Sequence, residues 1–293
     1  MQVRYIIGVD GGGTGTRARL ADATGRVLGQ GEAGPSALGQ GVDQAWRHVQ
    51  QAVVRAFEAA ALPLAGPQQC VLGLGLAGAH VGLRRDRFVA AAPPYALVVL
   101  NDDGTTSLFG ALRGEPGAVI AAGTGSIGEA LWPDGRRLTV GGWGFAIGDE
   151  GSGAWLGLRA MRLAHRAQDG RCGAGPLVRR LWQLAGSSRE ALLAWGEQAG
   201  QAGHAALAPL VFEMESEDPA AAALLRDAVQ ALESHAAALD PSGRLPLVVT
   251  GSLGQRLRPR LAPELLARCV EPAGDSADGA LLLARLAWEG QTR

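Results

Sequence analysis

Residues 5–16 read Tyr5-Ile6-Ile7-Gly8-Val9-Asp10-Gly11-Gly12-Gly13-Thr14-Gly15-Thr16. An apolar run ends in an acid, a glycine turn with hydroxyls follows, and a second strand-like run leaves it. Glycine reaches positive φ and lets the main chain approach an anion closely, so that several N–H groups converge on it. Thr14 and Thr16 add hydroxyl donors. Asp10 offers an oxygen to Mg²⁺, a hard cation that takes one or two carboxylates and keeps much of its water. The segment is suited to a phosphate chain beside a metal ion; a plain glycine-rich hairpin is the competing reading.

The rest of the chain weighs against the hairpin. More than a hundred residues on, Val119-Ile120-Ala121-Ala122-Gly123-Thr124-Gly125-Ser126-Ile127-Gly128 repeats the pattern of apolar strand, Gly/hydroxyl turn and departing strand. Near the end, Leu247-Val248-Val249-Thr250-Gly251-Ser252-Leu253-Gly254 again runs a buried-type strand into a glycine turn. Two phosphate-type turns in one chain suggest a duplicated architecture that clamps a phosphate between two lobes.

Composition sets the bounds. With 293 residues, 47% of them hydrophobic, the chain can bury a large core. A formal net charge of −1 and the lack of basic runs argue against nucleic acid as a partner. No apolar stretch nears the ~20 residues of a membrane span, and no signal-peptide layout opens the chain, so a cytoplasmic protein is expected. Cys70, Cys172 and Cys269 have no metal or redox spacing and read as small buried hydrophobes. The histidines His48, His80, His165, His204 and His235 read as surface residues. The sequence contains no lysine. This excludes the P-loop lysine, the lysine of eukaryotic-type protein kinases and a pyridoxal Schiff base. Phosphoryl transfer, if that is the chemistry, falls to backbone amides, hydroxyls, Mg²⁺ and carboxylates.

Period and punctuation predict a hairpin over Thr16–Asp22 and 26–30, a helix over 42–61, strands at Cys70–Leu76 and 97–100, and a helix over 82–91. Helices are expected near 105–112, from Ser152 to about Gln168, over most of 176–240 with breaks near Gly186, Gly200 and Pro219, and over 278–288.

Three segments carry candidate chemistry. Asn101-Asp102-Asp103 follows a strand, where open α/β sheets bind ligands. Asp102 there reads either as a base that takes the proton of an attacking hydroxyl or as a helix cap, with Asp103 the alternative cap. Gly141-Gly142-Trp143-Gly144-Phe145-Ala146-Ile147-Gly148-Asp149-Glu150-Gly151-Ser152-Gly153 surrounds acids with glycines just before a helix. It suits a loop that wraps a polyhydroxylated ligand, with Asp149 accepting from two sugar hydroxyls; capping by Asp149, Glu150 or Ser152 is the alternative. Gly73-Leu74-Gly75-Leu76-Ala77-Gly78 matches G-x-G-x-x-G after a strand, and would make a dinucleotide-binding βαβ unit with Asp102 on the ribose.

The order of these elements resembles the sugar kinase/actin/Hsp70 superfamily. Within it, the chain is similar to the branch of N-acetylglucosamine kinases and bacterial glucosamine kinases, which belongs to the wider family of benzoyl-CoA-reductase-activator type ATPases. The resemblance implies an α/β fold of two ribonuclease-H-like lobes, residues 1–110 with 279–293 and residues 111–278, with a nucleotide and sugar cleft between them. It implies ATP held by Gly11, Gly12, Gly13, Thr14 and Thr16, by Gly123, Thr124, Gly125 and Ser126, and by Gly251, Ser252 and Leu253. Asp102 would be catalytic and Asp10 would position Mg²⁺. Ser36, Asp102, Thr124, Trp143, Gly144 and Asp149 would bind the sugar. An amino sugar is the implied substrate, its 6-hydroxyl the acceptor, and a homodimer the implied assembly.

Two departures stand out. The first lobe of the family offers an asparagine to the sugar, where this chain reads Gly34-Pro35-Ser36-Ala37. Asp103 replaces a small residue after the catalytic aspartate, which leans the substrate towards a free amine. The alternative within the wider family is an ATPase that drives a dehydratase or reductase through a cysteine-held iron–sulfur cluster, and a non-catalytic sugar sensor is a third reading.

Overall fold

The computed structural model describes residues 3–291. The described residues fold as two α/β units, residues 3–117 with 271–291 and residues 118–270.

The first unit opens with β1 (Tyr5–Gly11), β2 (Thr16–Asp22) and β3 (Val27–Ala33), followed by α1 (Val42–Ala59). β4 (Cys70–Leu76), α2 (Gly82–Ala90), β5 (Leu97–Asn101) and α3 (Asp103–Leu112) complete its N-terminal segment. The sheet order is β3-β2-β1-β4-β5. β1 and β2 pair antiparallel, as do β2 and β3, whereas β4 runs parallel to both β1 and β5, a ribonuclease-H-like order. Ile7 and Val9 pack with Trp46, Val49, Val53 and Phe57 of α1, while Ile6 and Val71 face the other way. Burial on both faces makes these strands nearly continuous apolar runs.

In the second unit β6 (Gly117–Ala122), β7 (Ser126–Leu131) and β8 (Arg137–Gly141) precede α4 (Gly153–Gln168), α5 (Pro176–Ala185) and α6 (Arg189–Ala205). Then come α7 (Ala208–Glu213), α8 (Pro219–Leu239), β9 (Leu247–Thr250), α9 (Ser252–Leu257) and α10 (Pro263–Leu266). The sheet order is β8-β7-β6-β9, with β6 and β9 parallel. Ile120, Leu156, Leu177, Leu225 and Leu232 form its core. The break expected near Gly200 is a bend inside α6, where Gly200 takes φ 52°, ψ −163°.

The final helix, α11 (Ser276–Gln291), belongs to the first unit and explains the G-x-G-x-x-G run. A Cβ on Gly73 would lie 2.1 Å from the Ala280 carbonyl oxygen, and one on Gly8 would lie 2.2 Å from that of Ala277. A Cβ on Gly75 would lie 2.0 Å from Thr106 Oγ1 of α3. These glycines bring helices down onto the sheet. The units divide seven to eight residues from the boundaries read from sequence. α3 continues to Leu112 and stays with α11, because Ala273 N–H donates to the Ala111 carbonyl at 2.8 Å.

Two histidine readings are corrected. His204 and His235 are buried, and each Nδ1–H donates to the carbonyl four residues back, at 2.7 Å and 2.8 Å. Of the cysteines, only Cys70 is buried outright; Cys172 and Cys269 are intermediate.

Candidate active site

In the first unit, Asp10, Gly75 and Asn101 stand in register at the C-terminal ends of the parallel strands β1, β4 and β5. Asp10 and Asn101 therefore lie two strands apart, about 10 Å at ordinary sheet spacing, and Asp102 follows Asn101 directly. Past Asp10 the turn closes with Gly12 N–H donating to the Gly15 carbonyl at 2.9 Å, and Gly13 and Thr14 are exposed at its tip. Gln40 Nε2 donates to the Gly13 carbonyl at 3.1 Å and steadies it.

Two residues expected to touch ligand are turned inward. Thr16 Oγ1 lies 2.6 Å from the Gly34 carbonyl oxygen and 2.7 Å from Ser36 Oγ, and both side chains are buried. Ser36 N–H and Ala37 N–H both donate to the Gly12 carbonyl at 3.1 Å. The pair thus shapes the turn from behind. The hydroxyls of Thr16 and Ser36, expected at the nucleotide and at the sugar, are thus buried and bonded to each other.

Asp10 has a partner that the sequence reading missed: Arg17, opposite it on β2, donates to Asp10 Oδ2 at 2.7 Å. Burial holds the Asp10 carboxyl above its usual pKa, and Arg17 opposes that shift. The Arg17 side chain is half exposed and also reaches Asp275 at 3.4 Å.

Of the two candidate caps of α3 it is Asp102, and not Asp103, that takes the N-cap position. Oδ1 accepts from Thr105 N–H at 2.7 Å and Oδ2 from Thr105 Oγ1 at 2.8 Å. Capping and proton acceptance are compatible, because each carboxylate oxygen keeps a second lone pair. Asp103 is exposed by area, yet protein crowding its carboxyl raises its pKa, helped by the charges of Asp102 and Asp10.

In the second unit the turn after β6 is held by Gly123 N–H donating to the Gly125 carbonyl at 2.9 Å. The N-terminus of α4 abuts it, with Gly153 N–H donating to the Gly123 carbonyl at 2.8 Å and Ala154 N–H to that of Thr124 at 3.1 Å. Ser152 caps this helix, accepting from Trp155 N–H at 3.2 Å. Ser126 is buried, and its hydroxyl donates to the Glu150 carbonyl at 2.7 Å, so it pins the acidic loop to the turn.

That loop is built from left-handed positions: Gly141, Gly142, Gly144 and Gly151 have φ of 71° to 83°, and Asp149 has φ 59°. Asp149 is buried against the turn, where a Cβ on Gly125 would lie 2.9 Å from its Oδ2. Burial raises its pKa and Glu150 adds to this, while N–H bonds from Ser126 and Gly144 oppose it. Trp143 stands 74% exposed, and Ile147 77% exposed, an unusual display of apolar surface that a ligand could cover.

A cavity of about 200 Å³ is lined by Gly123, Thr124, Gly153, Pro209, Ser252, Leu253 and Arg256, among others. The second and third glycine turns therefore meet at one pocket at the ends of β6 and β9. Gly251 makes the third turn possible: its φ is 83°, and a Cβ there would lie 2.3 Å from the Ala122 carbonyl oxygen. Pro209 and Arg256 were not foreseen, since helix periodicity does not say which helix ends reach a pocket.

An α/β fold with glycine turns of this kind is the setting of a phosphate-handling enzyme, and the chain belongs to the BadF/BadG/BcrA/BcrD ATPase family, whose model matches residues 7–284. It is 33% identical over 283 residues to the glucosamine kinase GspK of Vibrio cholerae, covering 96% of each chain. It is 29% identical to an N-acetylmuramic acid/N-acetylglucosamine kinase of Clostridium acetobutylicum over 58% of this chain and 56% of that one. A crystal structure of a candidate N-acetylglucosamine kinase from Chromobacterium violaceum superposes with a TM-score of 0.92 at 48% identity, covering 96% of this chain and 99% of that one.

Proposed function

We propose that this protein is an ATP-dependent amino-sugar kinase that transfers the γ-phosphate to the 6-hydroxyl of glucosamine or N-acetylglucosamine. The observation that carries the reading is the assembly in the second unit, where the turn Gly123–Ser126, the buried Asp149 and the turn Gly251–Leu253 are built around one strand end. Kinases of both sugars among the relatives support it.

Asp149 would accept from sugar hydroxyls, and Trp143 with Gly144 would flank the ring. Asp102 would take the proton of the 6-hydroxyl as its oxygen bonds to the γ-phosphorus and the bond to the ADP oxygen breaks. Thr105 fixes the plane of that carboxylate for the task. The exposed tips Gly13-Thr14 and Thr124, with Ser252, would face the phosphates and nucleoside.

Mg²⁺ would be held through water by Asp10, and bound there it would neutralise phosphate charge. The donor set fits: one carboxylate suffices for an ion carried by nucleotide oxygens. Among the described residues no group of three or more His, Cys, Asp and Glu side chains forms a separate metal cage. A homodimer in the cytoplasm completes the proposal, supported by the family resemblance and by the reaction's need for ATP. No helix among the described residues is long and apolar enough to cross a membrane.

The test is coupled ADP release with ATP-Mg²⁺ against glucosamine, N-acetylglucosamine, N-acetylmannosamine and glucose. Saturable release that depends on one of the first two is expected. One slow rate whatever the sugar would overturn the kinase reading and favour an ATPase that drives another enzyme.

A further inference from the structure

Gln201, on the bend of α6, donates from Nε2 to Asp149 Oδ2 at 2.9 Å. The bend depends on Gly200, whose φ 52° and ψ −163° are open in practice only to glycine. His204 secures it by donating from Nδ1 to the Gly200 carbonyl, and its ring also meets Phe145 of the acidic loop at 5.1 Å. The second half of α6 therefore grips the loop at Asp149 and at Phe145. Asp149 needs such a grip: it is a carboxylate with 4% exposure in a left-handed conformation. A buried carboxylate stays ionised and oriented only when donors surround it. Its donors are Ser126 N–H and Gly144 N–H from the main chain and Gln201 from a side chain. Glu150, of like sign, acts against its ionisation.

We propose that Gln201 is the residue that positions Asp149 for the sugar, set in place by the glycine bend of α6. This rests on the reading of Asp149 as the sugar acceptor. Gln201 would act through that carboxylate alone, tightening the amino sugar without touching the phosphates.

Steady-state kinetics of Gln201→Met and Gly200→Ala test this against the parent and Asp149→Asn, with thermal melting to confirm folding. Loss of one hydrogen bond to a buried charge should raise KM for the sugar about 10-fold or more in Gln201→Met. Its KM for ATP should stay within about twofold, and kcat should fall far less than kcat/KM. The acid limb of kcat/KM should move to higher pH, because the ionised carboxylate has lost a donor. Gly200→Ala should show the same pattern. An unchanged or lower sugar KM with an unmoved acid limb in folded Gln201→Met, alongside a raised KM in Asp149→Asn, would overturn the role of Gln201 alone. An unchanged sugar KM in Asp149→Asn would overturn the reading of the site beneath it.

Discussion

Asp102 and Asp149 are candidate functional aspartates, one in each unit, and their surroundings ask different things of them. Asp102 caps a helix and holds two hydrogen bonds from Thr105. Asp102→Asn keeps the cap while removing the proton acceptor. Turnover should drop by roughly 10²–10⁴, the usual size of a general-base effect, with the KM for ATP nearly unchanged. Near-parental turnover in a coupled assay would remove Asp102 from the mechanism. Asp149 instead carries a stability cost. Its folded pKa lies above the unfolded value, chiefly through burial, so ionising it costs the folded state at neutral pH. The cost disappears as pH falls below the ordinary carboxylate range, where the group is protonated in both states. Ligand-free Asp149→Asn should therefore melt higher than the parent at pH 7.5, and the gap should close towards about pH 4. A gap independent of pH in the melting curves would contradict this. The sequence named Asp10, Asp102 and Asp149 because acids beside glycine turns at strand ends are local patterns. It did not foresee the bond between Thr16 and Ser36, because the same small hydroxyl residue suits a phosphate or a buried bond, and the partner lies 20 residues away.

At the scale of elements, glycines do most of the placing. Gly75 lets the N-terminus of α3, and with it Asp102, rest on the sheet. A Cβ there would sit 2.0 Å from Thr106 Oγ1, in a helix turn whose hydroxyl reaches back to the main chain of Asp103 at 3.2 Å. Gly75→Ala should push α3 outward and shift Asp102. We expect kcat to fall more than about 10-fold, and stability by about 1–3 kcal/mol as for other overpacked core sites. Denaturant melts and the coupled assay measure the two effects, and normal kcat with lost stability would show that α3 tolerates the shift. Strands, turns and most helices were legible from sequence because apolar period and glycine punctuation are local. The G-x-G-x-x-G run was ambiguous because a glycine needed for a close helix and a glycine needed for a phosphate look alike. The bend in α6 could be read as a break, but its direction towards Asp149 comes from packing.

At the scale of the molecule, the first unit is assembled from two separated segments of chain, and the second is continuous. α11 rests on β1 and β4 through Gly8 and Gly73 and on α3 through Gly110 and Gly279. Arg19 of β2 also pairs with Asp278 and, at 3.1 Å, with Asp275. A chain ended at Val270 should lose the fold of the first unit, with Ile6 and Val71 uncovered, and all kinase activity with it. Circular dichroism and hydrogen exchange should then show protection confined to 118–270. Protection persisting in β1 and β4 would mean that α11 is dispensable. This layout has a consequence on the ribosome. The strand that bears Asp10 and the one that ends just before Asp102 emerge early and wait, one face bare, while the whole second unit is synthesised. The inserted unit can finish folding before its host. Nascent β1, β4 and β5 are then the stretch for which a chaperone has the longest to compete, and an interrupted message yields a product with an unfinished first unit and no working site.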